Sequence, residues 1–279
     1  MNQVKTALIE RLAVCSWSLQ AANPGELAEK ILATGVRQVQ LALDPLRESP
    51  EIWGQTAAVF QKSGIAIISG MFGCVGEDYS TLETIRQTGG IAPDATWAQN
   101  LKNIQATAAL AETLGLKLVT FHAGFLPHDR RDPDFHKLAE RLGLVADIFA
   151  ERKIELGLET GQESAEELAA ILRAVNRPNL GVNFDPANVI LYGRDDVPGA
   201  LRLLTPWIRQ VHLKDARRTK TPGTWGEEVV VGTGDVDWPD FFAALKAAGY
   251  AGHIVIEREA GTSRVADIRA AKAVVEQLA

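Results

Sequence analysis

Short runs of apolar and β-branched residues alternate along the chain with longer segments in which apolar residues recur at helical spacing. The runs are LAVCSWS (12–18), VRQVQLAL (36–43), IAIISGMF (65–72), LKLVTFHAG (116–124), IELGLET (154–160), LGVNFD (180–185), IRQVHLKD (208–215) and HIVIERE (253–259). Between them lie stretches such as NPGELAEKILATG, where Asn23 is placed to cap, Pro24 opens the first turn and Gly35 stops the helix. WAQNLKNIQATAALAETLG and DPDFHKLAERLGLVADIFAERK keep the same spacing. Strand alternating with helix predicts a parallel sheet. Eight such units in 279 residues predict a closed (β/α)8 TIM barrel over an open doubly wound sheet. No Pro-, Ser- or Gly-rich linker interrupts the alternation, so residues 1–279 read as one domain.

Two connections are long, residues 73–96 after the third run and residues 216–237 after the seventh. Both leave the strand ends where the loops of such a barrel build its active site, and loops of this length are often lids or pocket walls. The second carries Trp225, acidic residues and VGTGD (231–235), the chain's nearest approach to a glycine-rich phosphate cradle.

Side chains alternate across a strand, so parity tests which strand-end residues face the barrel axis. In LGVNFD the apolar Leu180, Val182 and Phe184 share one face, which leaves Asn183 and Asp185 inside. The same reasoning puts Glu159 inside opposite Leu156 and Leu158, and His212 with Gln210 inside opposite Val211 and Leu213. Glu257 is inside opposite Ile254 and Ile256. Any one of these could be a helix cap, an ion-pair partner or a core histidine. Four with matching parity at the ends of the last four runs predict one converging site. Three carboxylates around one imidazole repel each other unless a cation sits among them. The oxygen and nitrogen donors suit a single divalent metal: Mn²⁺, Mg²⁺, Co²⁺ or Zn²⁺.

Composition narrows the partners. Hydrophobic residues make up 46% and charged residues 23%, as in an ordinary soluble domain. The net charge of −6 argues against nucleic acid, which calls for a basic patch. Cys15 and Cys74 are far apart without a CxxC pattern, so a reducing cytoplasm is the expected setting. The opening MNQVKTALIERLAVCSWS has no apolar stretch of signal-peptide length, and no run approaches a membrane span. Self-association into a homo-oligomer is left open.

On these residues the chain resembles the sugar phosphate isomerase/epimerase superfamily, the xylose isomerase-like TIM barrels. The resemblance runs through LGLETG (156–161), GVNFDPAN (181–188), IRQVHLKD (208–215), VGTGDVDWPDFFAALKAAGYAG (231–252) and VIERE (255–259). It implies that Glu159, Asp185, His212 and Glu257 hold one metal, with Glu159 and Glu257 as the acid/base pair beside a sugar-like carbonyl compound. An enediolate formed there could be reprotonated, as in an isomerase or epimerase, or could expel a β-hydroxyl, as in an inosose dehydratase-like or 3-keto-sugar-cleaving lyase. His122 matches a superfamily histidine and is expected on a substrate hydroxyl. Lys214 shares the inward face of His212 and could hold a substrate oxygen or phosphate, or neutralise the acidic cluster. Arg217 or Arg218 is expected at the substrate's far end. Trp17 and Phe72 could wall a sugar ring, whereas Trp238, behind the cap Asp237, reads as structural. Asn188 stands in DPAN where ketose 3-epimerases carry a histidine, and ETGQES lacks their Asn-Arg stretch, which counts against that narrower group. An endonuclease IV-like phosphodiesterase would need more metal ligands than the five histidines (122, 128, 136, 212 and 253) offer, and a basic groove.

Overall fold

A computed structural model describes residues 8–221 and 223–278; the first seven residues of the N-terminal reading lie outside the described residues. Its strands are β1 (Leu12–Cys15), β2 (Gln38–Ala42), β3 (Ala66–Met71), β4 (Leu118–Phe121), β5 (Glu155–Glu159), β6 (Leu180–Phe184), β7 (Ile208–Leu213), β8 (Asp215–Arg217), β9 (Glu227–Val229) and β10 (Ile254–Ile256). Eight of them close a barrel in the order β1-β10-β7-β6-β5-β4-β3-β2. Every barrel pair is parallel, and helices fill the crossovers. The fold is therefore the single-domain (β/α)8 barrel that the alternation predicts. Each predicted run contains one barrel strand. The first stops early because Ser16–Leu19 wind into a 3-10 turn.

The helix signals act as their chemistry suggests. Asn23 caps Pro24–Thr34 by accepting from the Glu26 amide, and Gly35 ends that helix at φ +76°. The other two segments become Asp94–Thr113 and Pro133–Ala150, the latter capped by Asp132.

Parity divides the molecule into two layers. Leu156, Leu158, Val182, Phe184, Val211, Leu213, Ile254 and Ile256 point outward into the apolar layer beneath the helices. Each such side chain contributes about 1.5–3 kcal/mol through burial. Inside the barrel, among the described residues, Ala13, Cys15 and Val255 form a small apolar cluster, with Trp17 and Ile68 against it. Much of the remaining interior is polar. Gln40, Ser69, Thr120, Asn183, Gln210 and His212 are fully buried there. Buried polar groups of this kind must be hydrogen-bonded. Ser69 Oγ donates to Gln210 Oε1 (2.7 Å), Gln210 Nε2 to Asn183 Oδ1 (3.3 Å), and Gln40 Nε2 to Thr120 Oγ1 (2.8 Å). Cys15 and Cys74 are unpaired.

Both long connections are structured. Residues 73–96 contain the helix Leu82–Thr88, capped by Thr81. Residues 216–237 include an antiparallel hairpin, β8 with β9, that the sequence pattern did not predict. The Asp215 carboxylate organises this loop by accepting from the amides of Ala216, Gly232, Gly234 and Val236 and from the Trp238 indole. Gly234 must be glycine, because a Cβ would lie 2.1 Å from Asp215 Oδ1. Trp238 is buried in this anchor, and Asp237 caps its helix, which matches the structural reading of both.

Candidate metal centre

The ends of β5, β6, β7 and β10 bring Glu159, Asp185, His212 and Glu257 together. Ligand atoms of all four lie within 4.8 Å of one another, and all four residues are buried. His212 Nδ1 is 3.3 Å from Glu159 Oε1, 3.4 Å from Glu257 Oε2 and 3.8 Å from Asp185 Oδ2.

Whether these residues fit a cation can be tested on their hydrogen bonds. His212 Nε2 lies 2.8 Å from Gln40 Oε1, which can accept its proton, and 3.0 Å from the Asn183 amide nitrogen; with the ring proton on Nε2, shared with Gln40, Nδ1 turns its lone pair to the carboxylates. Gln40 is held in that orientation by Thr120. His212 Nδ1 and Asp185 Oδ2 are buried with no hydrogen-bond partner, although almost every buried polar atom in a protein has one. Two orphaned lone pairs among carboxylate oxygens are the pattern a divalent cation completes. The backing bond from Nε2 is the usual support of a metal-binding imidazole.

The electrostatics agree. Burial opposes charge on His212, but Glu159 and Glu257 outweigh it and raise its pKa well above that of a free imidazole. Without a cation, a proton on Nδ1 supplies the missing positive charge. Burial also opposes the Glu257 carboxylate, yet Lys214 and His212 hold it well below the usual range. For Asp185 burial wins and raises the pKa, against the pull of His212 and Lys214. Burial pushes the Cys15 thiol up, so it stays protonated behind His212.

Above this cluster opens a cavity of about 440 Å³ at the C-terminal ends of the strands. Both long connections wall it, residues 73–96 through Glu77 and Tyr79, residues 216–237 through Trp225 and Glu228. His122 borders it, with Nε2 3.7 Å from Glu159 Oε1. Asn188 also borders it, and its amide donates to Glu159 Oε1 (3.1 Å), so it steadies a carboxylate. Lys214 Nζ reaches Glu257 Oε2 at 2.9 Å and Glu259 Oε2 at 2.5 Å. Trp17 is more than an apolar wall, for its indole donates to Glu257 Oε1 at 2.7 Å. Phe72 borders the cavity but is only 2% exposed and stacks on Phe121, which makes it core beneath the floor.

The structure does not bring Arg217 and Arg218 to the cavity. Entry into the β8–β9 hairpin turns both outward. Arg217 donates to the Thr233 carbonyl, and Arg218 to the Asp195 carbonyl beside a separate groove.

Other residues of the site were given no role from sequence. Gln40 and Asn183 support the centre from inside the barrel, and inward parity was the signal for both. Tyr79, Tyr192 and Glu228 come from loops and helix ends, where no periodicity marks them; Trp225 was noted only as part of the second long connection, and Glu259 follows Glu257 by two, so parity was its signal.

A family model described as xylose isomerase-like TIM barrel matches residues 28–278. The crystal structure of a xylose isomerase domain protein from Planctomyces limnophilus is similar, with 30% identity over 96% of this chain and 95% of that one and a TM-score of 0.83. An L-ribulose 3-epimerase is similar at 21% identity, over 95% of this chain and 93% of that one, with a TM-score of 0.72. A xylose isomerase-like TIM barrel protein from Mycobacterium smegmatis, in complex with magnesium, shares 16% identity over 93% and 90% of the two chains, with a TM-score of 0.69. For the last two the likeness is one of fold. No curated protein matches the sequence. Among the described residues, no helix is long and apolar enough to cross a membrane.

Proposed function

Because the chain belongs to the xylose isomerase-like TIM barrel family, we propose that it is a divalent-metal-dependent isomerase or epimerase acting beside the carbonyl of a sugar or related polyol-ketone. The observation that carries this reading is the pair of orphaned lone pairs, His212 Nδ1 and Asp185 Oδ2, between two buried glutamates below a cavity. Glu159, Asp185, His212 and Glu257 would hold the cation. A bound divalent cation supplies charge stabilisation for the carbonyl oxygen when the neighbouring carbon loses its proton.

The chain's own residues account for the proton. Glu257 is the base: Trp17 fixes one of its oxygens and Lys214 the other, and its carboxyl is held in the ionised form. Glu159 is its counterpart and returns a proton to the carbon. Asn188 and Asn183 hold its two oxygens at 3.1 and 3.2 Å. His122 and Tyr79 border the cavity where a substrate hydroxyl would sit, their rings 6.3 Å apart.

The same proton removal followed by loss of a β-hydroxyl would make the enzyme a lyase. Solvent-deuterium exchange across ketoses, inososes and 3-keto sugars separates the two. Label at the α carbon with the carbon skeleton and all hydroxyls retained supports the isomerase or epimerase. Loss of water supports the lyase. Neither outcome with any compound in the panel would remove the sugar reading.

A further inference from the structure

The walls of the cavity carry a charge pattern that bears on its substrate. Five carboxylates border it, those of Asp44, Glu77, Glu228, Glu257 and Glu259, against one ammonium, Lys214. That ammonium is 3% exposed and already committed to Glu257 and Glu259. The guanidinium groups nearest the walls are committed too, Arg47 to Asp44 and Glu48, Arg258 to Glu228 and Asp267. Arg217 and Arg218 face away onto backbone carbonyls.

Backbone amides, the other common phosphate donors, are also taken. The glycine-rich stretch 231–235 does present amides in a nest, but the Asp215 carboxylate fills it, accepting from Gly232 at 2.8 Å and Gly234 at 3.1 Å. The helix Pro186–Tyr192 begins at the cavity, and Asp185 Oδ1 caps its Ala187 and Asn188 amides. What the walls do offer a ligand is aromatic surface: Trp17, Tyr79, Tyr192 and Trp225.

We propose that this cavity selects an uncharged polyhydroxy carbonyl compound and rejects the phosphate ester of the same sugar. The inference rests on the sugar reading above and sharpens it. A neutral sugar lays its C–H surface on the aromatic walls and gives its hydroxyl protons to the carboxylates. A phosphate group carries close to two negative charges at neutral pH. It would enter a wall dominated by carboxylates with no unpaired ammonium or guanidinium to replace its water, which is the costly case for a charged group. Among the described residues that border the cavity, the groups able to carry positive charge already face carboxylates, Lys214 those of Glu257 and Glu259 and His122 that of Glu159 at 3.7 Å.

The test is calorimetric titration of the full-length, Mg²⁺-loaded protein with matched pairs, D-fructose and D-fructose 6-phosphate, D-ribulose and D-ribulose 5-phosphate, D-tagatose and D-tagatose 6-phosphate. The expected result is that at least one free ketose binds and its ester binds at least tenfold more weakly. An ester that binds as tightly as its free ketose, or more tightly, overturns the inference and leaves the sugar reading standing. If no sugar of either kind binds, the inference falls, and the deuterium-exchange panel decides whether the sugar reading falls with it. Leu191→Arg places an uncommitted cation on the cavity wall and should bring the ester to within about threefold of the free ketose. A variant that binds the ketose normally but leaves the ratio unchanged shows that charge is not the discriminator and overturns the inference.

Discussion

The two glutamates of the centre lie on strands separated by β6 and β7, and the protein holds them by different means. Glu159 is gripped by neutral amides, Asn183 and Asn188, with His122 at 3.7 Å. Glu257 is gripped by an ammonium, Lys214, and an indole, Trp17. Burial opposes both carboxylates, but His212 and His122 bring Glu159 below its ordinary value, and Lys214 and His212 bring Glu257 well below it. The contrast is one of degree and matches the division of labour proposed here, the more strongly ionised carboxylate at Glu257 serving as base and the less strongly held one at Glu159 as its partner.

The most damaging way to break this comparison is at the base. Glu257→Gln should lower turnover by about 10³-fold while the protein still takes up metal, as read by kinetics alongside calorimetric metal titration. Removing the metal with a chelator should abolish activity on both sides at once, and full activity in stripped protein would end the mechanism. Next come the two supports. Lys214→Met should cost roughly 100-fold in turnover and Asn188→Leu roughly tenfold. Equal losses would mean that the ammonium does no more than an amide.

Gln40 tests the axis between the two sides. Gln40→Leu should weaken metal affinity about tenfold and remove the Nε2–H signature of His212 from imidazole ¹⁵N spectra. An unchanged spectrum would show that Gln40 does not set the tautomer. The smallest effect on chemistry is expected at Glu163, in the loop that follows β5. Burial pushes the Glu163 carboxyl up to about 7, against its backbone hydrogen bonds. The folded protein therefore keeps that proton where the unfolded chain has lost it, and stability falls as pH rises from about 4.5 to about 7. Glu163→Gln should remove this slope and recover on the order of 2–3 kcal/mol above pH 7, measured by denaturant unfolding across that range. A wild-type curve flat in pH would refute it.

The periodic part of the molecule was legible from sequence. Alternation along β6, β7 and β10 separates Val182, Val211 and Ile256 from Asn183, His212 and Glu257, because burying one face of a strand dictates where the other must point. The same rule singled out all four residues of the centre. It has no purchase where the chain leaves the strand. Lys214 keeps its inward place, but three residues later Arg217 lies in a hairpin and faces solvent. The aromatic walls of Tyr79, Tyr192 and Trp225 come from segments whose direction is set by packing between loops.

The glycine-rich stretch is the clearest case of a local pattern decided from afar. Its residues have the composition of a phosphate cradle, and only the folded chain shows the Asp215 carboxylate filling it. What the sequence determined by itself was the barrel, its inward faces and the four clustered side chains, since each follows from local periodicity. Tertiary structure decided which cations and amides remain free to meet a substrate, since a donor's availability depends on what distant residues bring beside it.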